Sequence, residues 1–182
     1  IHRERETGIV GEVESGKSVH HEDNDARAGR VDPQKTYILR FDGGSRGNPG
    51  IAGAGMVICD ETTHKELWCG WKFLGSSTTN NEAEYTALVM GLKKAQSLGI
   101  RKLVVEGDSE LIVRQLEGRY RVKEGRLKSF HFAALQAVET FDQCKVSHIR
   151  RAQNKRADEL ANQAMDSKES WGLEENQSTH HP

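Results

Sequence analysis

Apolar residues are concentrated between Thr36 and Met165, and their spacing switches between two periods along that stretch. Tyr37 to Phe41 (YILRF) is short and rich in β-formers, and Asp42-Gly43-Gly44 follows it, which predicts a strand running into a tight turn. Ala52 to Asp60 and Glu66 to Leu74 alternate on either side of a turn at Glu61 to His64, so three antiparallel strands are expected. The period then changes. Tyr85, Leu88, Leu92 and Ala95 recur at helical spacing in a segment opened by Thr79-x-x-Glu82, the sequence form of a capping box, and closed by Gly99. Beyond it the chain predicts a strand over Lys102 to Val105, a short helix over Ser109 to Leu116 and a longer one over Leu127 to Phe141. A strand over Lys145 to Arg150 and a last helix from Asn154 to Met165 follow. The order βββαβααβα predicts an α/β fold with a mixed five-stranded sheet flanked by helices, and in such sheets sites form at the carboxyl ends of strands.

Outside that stretch the pattern stops. Residues 1 to 34 contain almost no aliphatic run and no Phe, Trp or Tyr, a composition that cannot bury enough surface to offset ordering entropy. After Asp166 only Trp171 and Leu173 are large and apolar. The expected organisation is a flexible acidic tail over 1–34, one domain over 35–166 and a second flexible tail over 167–182. This division changes the meaning of the net charge of -1. Residues 1–34 carry five Lys and Arg against eight Asp and Glu, and residues 166–182 carry one against four. The stretch between them holds 20 basic and 15 acidic residues, an excess that permits a polyanionic partner without selecting nucleic acid on its own.

Cys59, Cys69 and Cys144 are odd in number and unrelated in spacing, so neither a disulfide framework nor a zinc knuckle is expected. A reducing intracellular compartment fits, with cytoplasm, nucleus and organelle left open. No apolar run approaches the roughly 20 residues of a membrane span, so no membrane partner is expected. No charged-then-apolar signal segment opens the chain. Its first residue is Ile, from which a piece of a longer chain or larger assembly is expected. The domain itself is expected to be monomeric.

Four acids fall where the layout brings them together: Asp42 at the end of the first strand, Glu84 in the first turn of the first helix, Asp108 after the fourth strand and Asp158 in the first turn of the last helix. Asp42, Asp108 and Asp158 each have a bland reading as a turn former, a helix cap and a dipole partner behind a cap at Asn154. Glu84 is different, because it sits on the edge of the apolar face, one position before Tyr85 and one turn before Leu88. A carboxylate there needs a partner. Converging acids repel one another unless cations are present, and hard carboxylate oxygens are what Mg²⁺ or Mn²⁺ prefers. Two such ions about 3.5 to 4 Å apart serve phosphodiester cleavage in nucleases and polymerases.

FDGGSRGNPGIAGAG, TTNNEAEYTAL, VEGDSELIVRQL and NKRADELA, in that order, resemble the four motif blocks of the type 1 ribonuclease H family over roughly residues 36–166. The resemblance implies a ribonuclease H-like fold and an endonuclease that hydrolyses the RNA strand of RNA-DNA hybrids. It further implies that Asp42 bridges two Mg²⁺ ions, that Asp158 helps hold the ion that activates water, and that Glu84 and Asp108 hold the ion at the leaving group. Glu82, two residues from Glu84, belongs to the capping box. Asn48, Asn80 and Asn81 resemble the family's minor-groove residues, and Thr79 resembles part of its pocket for a DNA phosphate. Amides can exchange hydrogen bonds with a 2′-hydroxyl and with base edges in the wide, shallow groove of a hybrid.

Three departures from the family accompany the resemblance. Gly118 to Lys128 (GRYRVKEGRLK) is a short basic loop in place of a Lys/Trp-rich helical protrusion, so a weaker grip on the hybrid is expected. Residues 1–34 contain no recognisable hybrid-binding module. The loop before the last acid offers Arg150 and Arg151 where many members have a His, with His148 expected in the strand and Arg151 the nearest substitute. Such shortened forms resemble archaeal, bacterial and plant members. The alternative reading is a catalytically silent module of the same fold that binds nucleic acid or protein. A resolvase or integrase core is disfavoured by the first two blocks.

Overall fold

The structure is a computed structural model that describes residues 31–173. The expected flexible tail over 1–34 lies almost wholly outside the described residues, as does 174–182. Five strands, β1 (Thr36–Gly47), β2 (Gly50–Asp60), β3 (Glu66–Phe73), β4 (Lys102–Gly107) and β5 (Gln143–His148), form one sheet in the order β3-β2-β1-β4-β5. The β1–β2 and β2–β3 pairs are antiparallel, and β1–β4 and β4–β5 are parallel. Helices α1 (Asn80–Ser97), α2 (Glu110–Leu116) and α3 (Gly125–Val138) share one core with the Leu39, Phe41, Met56 and Ile58 face of the sheet. Helix α4 (Lys155–Ser167) covers the opposite face and buries Ala157, Leu160, Ala161 and Ala164. No helix of the described residues is long and apolar enough to cross a membrane.

The helix start read from Thr79 and Glu82 is present atom by atom. The Thr79 hydroxyl accepts from the Glu82 N–H at 3.2 Å, and the Glu82 carboxylate accepts from the Thr79 N–H at 2.9 Å. Two orphan donors of the first turn are thereby satisfied.

The first strand does not stop at Phe41. It pairs with β2 without interruption from Tyr37–Asp60 to Gly47–Gly50, so Gly43 and Gly44 are strand residues. The turn falls at Asn48–Pro49, whose peptide bond is cis. The parallel ladder to β4 ends earlier, at the Phe41–Gly107 pair. Asp42 is thus the first residue of β1 beyond that ladder, at the carboxyl edge of β4 but in mid-strand, not at a strand end as expected.

The glycines are there for close approach. A Cβ on Gly43 would lie 2.2 Å from the Ala83 carbonyl carbon in α1, and one on Gly55 would lie 2.2 Å from the Ala157 oxygen in α4. Two helices therefore touch the β1–β2 backbone from its two faces. Other boundaries move by a few residues: β5 starts at Gln143 because it pairs with Lys102 at the start of β4, and Arg150 belongs to the turn into a 3-10 segment, Arg151–Gln153.

The domain also runs past residue 166. Trp171 exchanges backbone hydrogen bonds with Trp71 at 2.9 and 3.1 Å, and the two rings stack with centroids 5.9 Å apart. The Trp68 indole N–H donates to the Gly172 carbonyl at 3.1 Å. Residues 170–172 thus lie along the β3 edge, and the expected tail from 167 begins later than composition suggests, because edge pairing needs backbone groups and not an apolar run. Truncation after Lys168 is expected to lower the unfolding free energy by roughly 1–3 kcal/mol, from two backbone bonds and an aromatic stack. Urea denaturation of the truncated chain checks this, and an unchanged midpoint would show that the segment contributes nothing.

Candidate functional site

The carboxyl edge of β4 and the adjoining stretch of β1 carry the acids. Asp42 comes from β1, Glu84 from α1, Asp108 from the residue after β4 and Asp158 from the first turn of α4. Carboxylate oxygens of Asp42, Glu84 and Asp108 all lie within 4.8 Å of one another. Asp158 lines the same open cavity of about 600 Å³, together with Arg46, Asn80, Ser109, Arg151 and Asn162. Asp42 and Glu84 are buried, at 6% and 5% exposure, while Asp108 is half-buried.

Local structure holds these side chains in place. The Gly43 N–H donates to Asp42 Oδ1 at 3.0 Å and to Glu84 Oε2 at 3.2 Å, tying two acids from two elements to one amide. Glycine at 43 is what lets α1 come near enough for the second bond. Ser109, and not Asp108, caps α2 through the Ile112 N–H, so the Asp108 carboxylate is left for other work. Its Oδ2 is buried with no hydrogen-bond partner among the described residues. Asn154 is not the side-chain cap expected of it. Fully buried, it donates from Nδ2 to the Phe41 carbonyl at 2.9 Å and so anchors the start of α4 to the residue before Asp42.

The electrostatics follow from the crowding. Burial, with the charges of Asp108 and Asp158 adding, pushes the Asp42 carboxyl up to about 7. Burial and then Asp42 and Asp108 hold Glu84 well above the ordinary carboxylate range. Burial also raises Asp108, opposed in part by the neighbouring Asn154 amide and then by the charges of Arg151 and His148. Carboxylates that resist ionising together, supply only oxygen donors and leave one buried oxygen unpartnered fit a divalent cation.

A group raised in the folded state stabilises it most below its unfolded value, and that contribution is lost as pH rises through the folded value. Metal-free protein should therefore be less stable at pH 8.5 than at pH 5.5, by on the order of 2 kcal/mol. Asp60, Glu66 and Asp142, which are lowered, act only below the ordinary carboxylate range and outside this window. Calorimetry in EDTA reads the difference, and Asp42→Asn should flatten it. Equal stability at the two pH values would contradict the crowding.

Of the other residues singled out in the sequence, Asn80 and Arg151 line the cavity, while Asn48, Thr79 and Asn81 stand beside it at the β1–β2 turn and the start of α1. The Asn48 side-chain oxygen accepts from the Asn80 N–H at 3.1 Å, which joins the two loops. His148 ends β5 as expected, but its Nε2 lies 3.2 Å from the Asp108 carbonyl oxygen, close to the acids. Arg46 and Asn162 escaped sequence reading, and Asn154 was read only as a helix cap.

The family described as Reverse transcriptase-like matches residues 40–164. The chain is 40% identical over 129 residues to the bifunctional protein Rv2228c of Mycobacterium tuberculosis, covering 71% of this chain and 35% of that one. It thus spans about a third of that relative's length. The crystal structure of ribonuclease H1 from the halophilic archaeon Halobacterium salinarum superposes with a TM-score of 0.69 at 36% identity, over 72% of this chain and 98% of that one. LC11-RNase H1, isolated from compost, was crystallised in complex with an RNA/DNA hybrid; it superposes with a TM-score of 0.68 at 42% identity, over 72% of this chain and 98% of that one.

Proposed function

The chain belongs to the type 1 ribonuclease H family, and from that premise we propose that it hydrolyses the RNA strand of RNA-DNA hybrids with two divalent metal ions, Mg²⁺ or, in its place, Mn²⁺. The observation that carries this reading is the convergence of Asp42, Glu84 and Asp108 within 4.8 Å, with Asp158 in the same cavity. Asp42 and Asp158 would hold one ion, and Asp42, Glu84 and Asp108 the other. Bound there, the ions would supply positive charge to activate a water and stabilise the leaving oxygen.

The chain's own residues do the positioning. Gly43 fixes the Asp42 and Glu84 carboxylates from one amide, and Asn154 fixes the α4 start that carries Asp158. Asn48, Asn80 and Asn81 present amides toward the minor groove, where a 2′-hydroxyl distinguishes RNA from DNA. The Thr79 oxygen already accepts a bond from Glu82, which leaves its O–H to donate to a DNA phosphate. Arg151, beside the acids, offers a permanent positive charge to the RNA strand and cannot act as a general base. A silent binding module would have no use for three crowded carboxylates, two of them buried. The reading also takes in an intracellular reducing setting, which the three free thiols support.

The test incubates the protein with labelled hybrid, duplex DNA and duplex RNA, each in Mg²⁺ and in EDTA. Cleavage is expected of the hybrid alone and only with metal. A cut DNA duplex, or an intact hybrid in Mg²⁺, would overturn the proposal.

A further inference from the structure

Among the residues lining the acidic cavity, two are cationic, Arg46 and Arg151. Arg46 lies four residues beyond Asp42 on β1, which places it on the same face of the strand. Its Nη2 donates to Asp166 Oδ1 at 2.6 Å and to Asn162 Oδ1 at 3.3 Å. Both partners belong to the α4 face that also carries Asp158, and the Asn162 amide donates in turn to the Asp158 carbonyl at 3.0 Å. The Nε and Nη1 groups of Arg46 make no hydrogen bond to any described residue.

The pair with Asp166 is exposed on both sides, 47% and 65%, so as an ion pair it contributes little to stability. Its effect is to hold one corner of a planar guanidinium while two donors remain for an incoming group. That group must be anionic and planar or tetrahedral in its oxygens, which is the match a guanidinium makes with phosphate. Position along α4 says where the phosphate belongs. Asp166 is eight residues from Asp158, about 12 Å along the helix axis, and Arg151 lies before Asp158 on the other side. The two arginines therefore bracket the acids, and about 12 Å is the axial rise of a few nucleotides of one strand at roughly 3.4 Å each.

We propose that Arg46 binds a phosphate of the RNA strand within a few nucleotides of the scissile one, and that Asp166 and Asn162 set its guanidinium for that contact. The inference rests on the reading above, in which this cavity acts on the RNA strand.

The test compares Arg46→Ala and Arg46→Lys with Arg101→Ala, which removes an equal charge from an exposed pair with Asp142 at the opposite end of β4. Arg46→Ala should raise KM for hybrid about fivefold to twentyfold with kcat within about twofold. In the Asp42→Asn background it should reduce the slope of log Kd against log salt by about one. Arg46→Lys should recover the slope but only part of KM, because the fork is lost. A scan of methylphosphonates along the RNA strand should find a neutralised phosphate that weakens the wild type and leaves Arg46→Ala indifferent. Arg46→Ala matching Arg101→Ala in KM and slope, with wild type cleaving hybrid, overturns this contact alone. A wild type that does not cleave hybrid overturns the parent reading and this one with it.

Discussion

Asp42→Asn is expected to cut the rate of hybrid cleavage by about a thousandfold or more and to leave the metal-free protein at least as stable as the wild type. Both effects come from one carboxylate. Asp42 interacts with each of the other three acids, and its neutralisation removes its repulsion with Asp108, Asp158 and Glu84 while the Glu84–Asp108 and Asp108–Asp158 pairs remain. Asparagine keeps Oδ1, so the bond from the Gly43 N–H survives and the backbone has no reason to move. Relief of a carboxyl held near 7 in place of its ordinary 3.8 is worth at most on the order of 4 kcal/mol at pH 8, or very roughly 12 °C in melting temperature for a domain this size. Activity in Mg²⁺ and melting in EDTA are read on the same preparation. A stable variant that still cleaves near the wild-type rate would remove Asp42 from the machinery. A variant that loses both activity and stability would make Asp42 a structural residue.

Gly43→Ala is expected to have the opposite signature, losing stability and activity together. The new Cβ would fall 2.2 Å from the Ala83 carbonyl carbon, 2.3 Å from its oxygen and 2.4 Å from the Glu84 nitrogen, all of them backbone atoms of α1. No rotamer can relieve that overlap, so the helix must move away from β1. Overpacking of side chains costs about 1–3 kcal/mol; with backbone on both sides the upper end of that range or more is expected. The displaced helix takes Glu84 with it, breaks the bond from the Gly43 amide and opens the carboxylate cluster, so hybrid cleavage should fall at least about a hundredfold even where the variant stays folded. Denaturant melting and kcat measured below the melting range separate the two losses. Wild-type values for both would mean that α1 has slack the packing does not show.

These two substitutions also mark what was legible in the chain and what was not. That Asp42, Glu84, Asp108 and Asp158 converge was legible from the element order and the resemblance and not from any one acid, since Asp42, Asp108 and Asp158 taken singly read as a turn former, a cap and a dipole partner. The role of Gly43 was not. Next to Asp42 and before Gly44 it reads as a turn, and only the approach of a helix from residues about forty positions away turns it into a strand residue under steric demand. Asn154 was misread for a similar reason. An Asn before a helix reads as a cap, whereas here its amide is claimed by the Phe41 carbonyl, 113 positions earlier. Arg46 finds its partners 116 and 120 positions away, and Trp171 pairs with Trp71, so neither leaves a local signature. The element order was read correctly throughout, because hydrophobic period is a local property. The boundaries of β1 and of the last segment were missed because they are set by partners.

The central claim is that this carboxylate cluster cleaves RNA paired to DNA through bound divalent ions. Its most direct test is a hybrid carrying one label on the RNA strand and another on the DNA strand, with cleavage rates followed across a Mg²⁺ titration. The account predicts that the RNA label shortens while the DNA label stays full length, that the rate vanishes in EDTA, and that it rises more steeply than first order at low Mg²⁺ because two ions are needed. Cutting that persists in EDTA, or a DNA strand that shortens alongside the RNA, would contradict it.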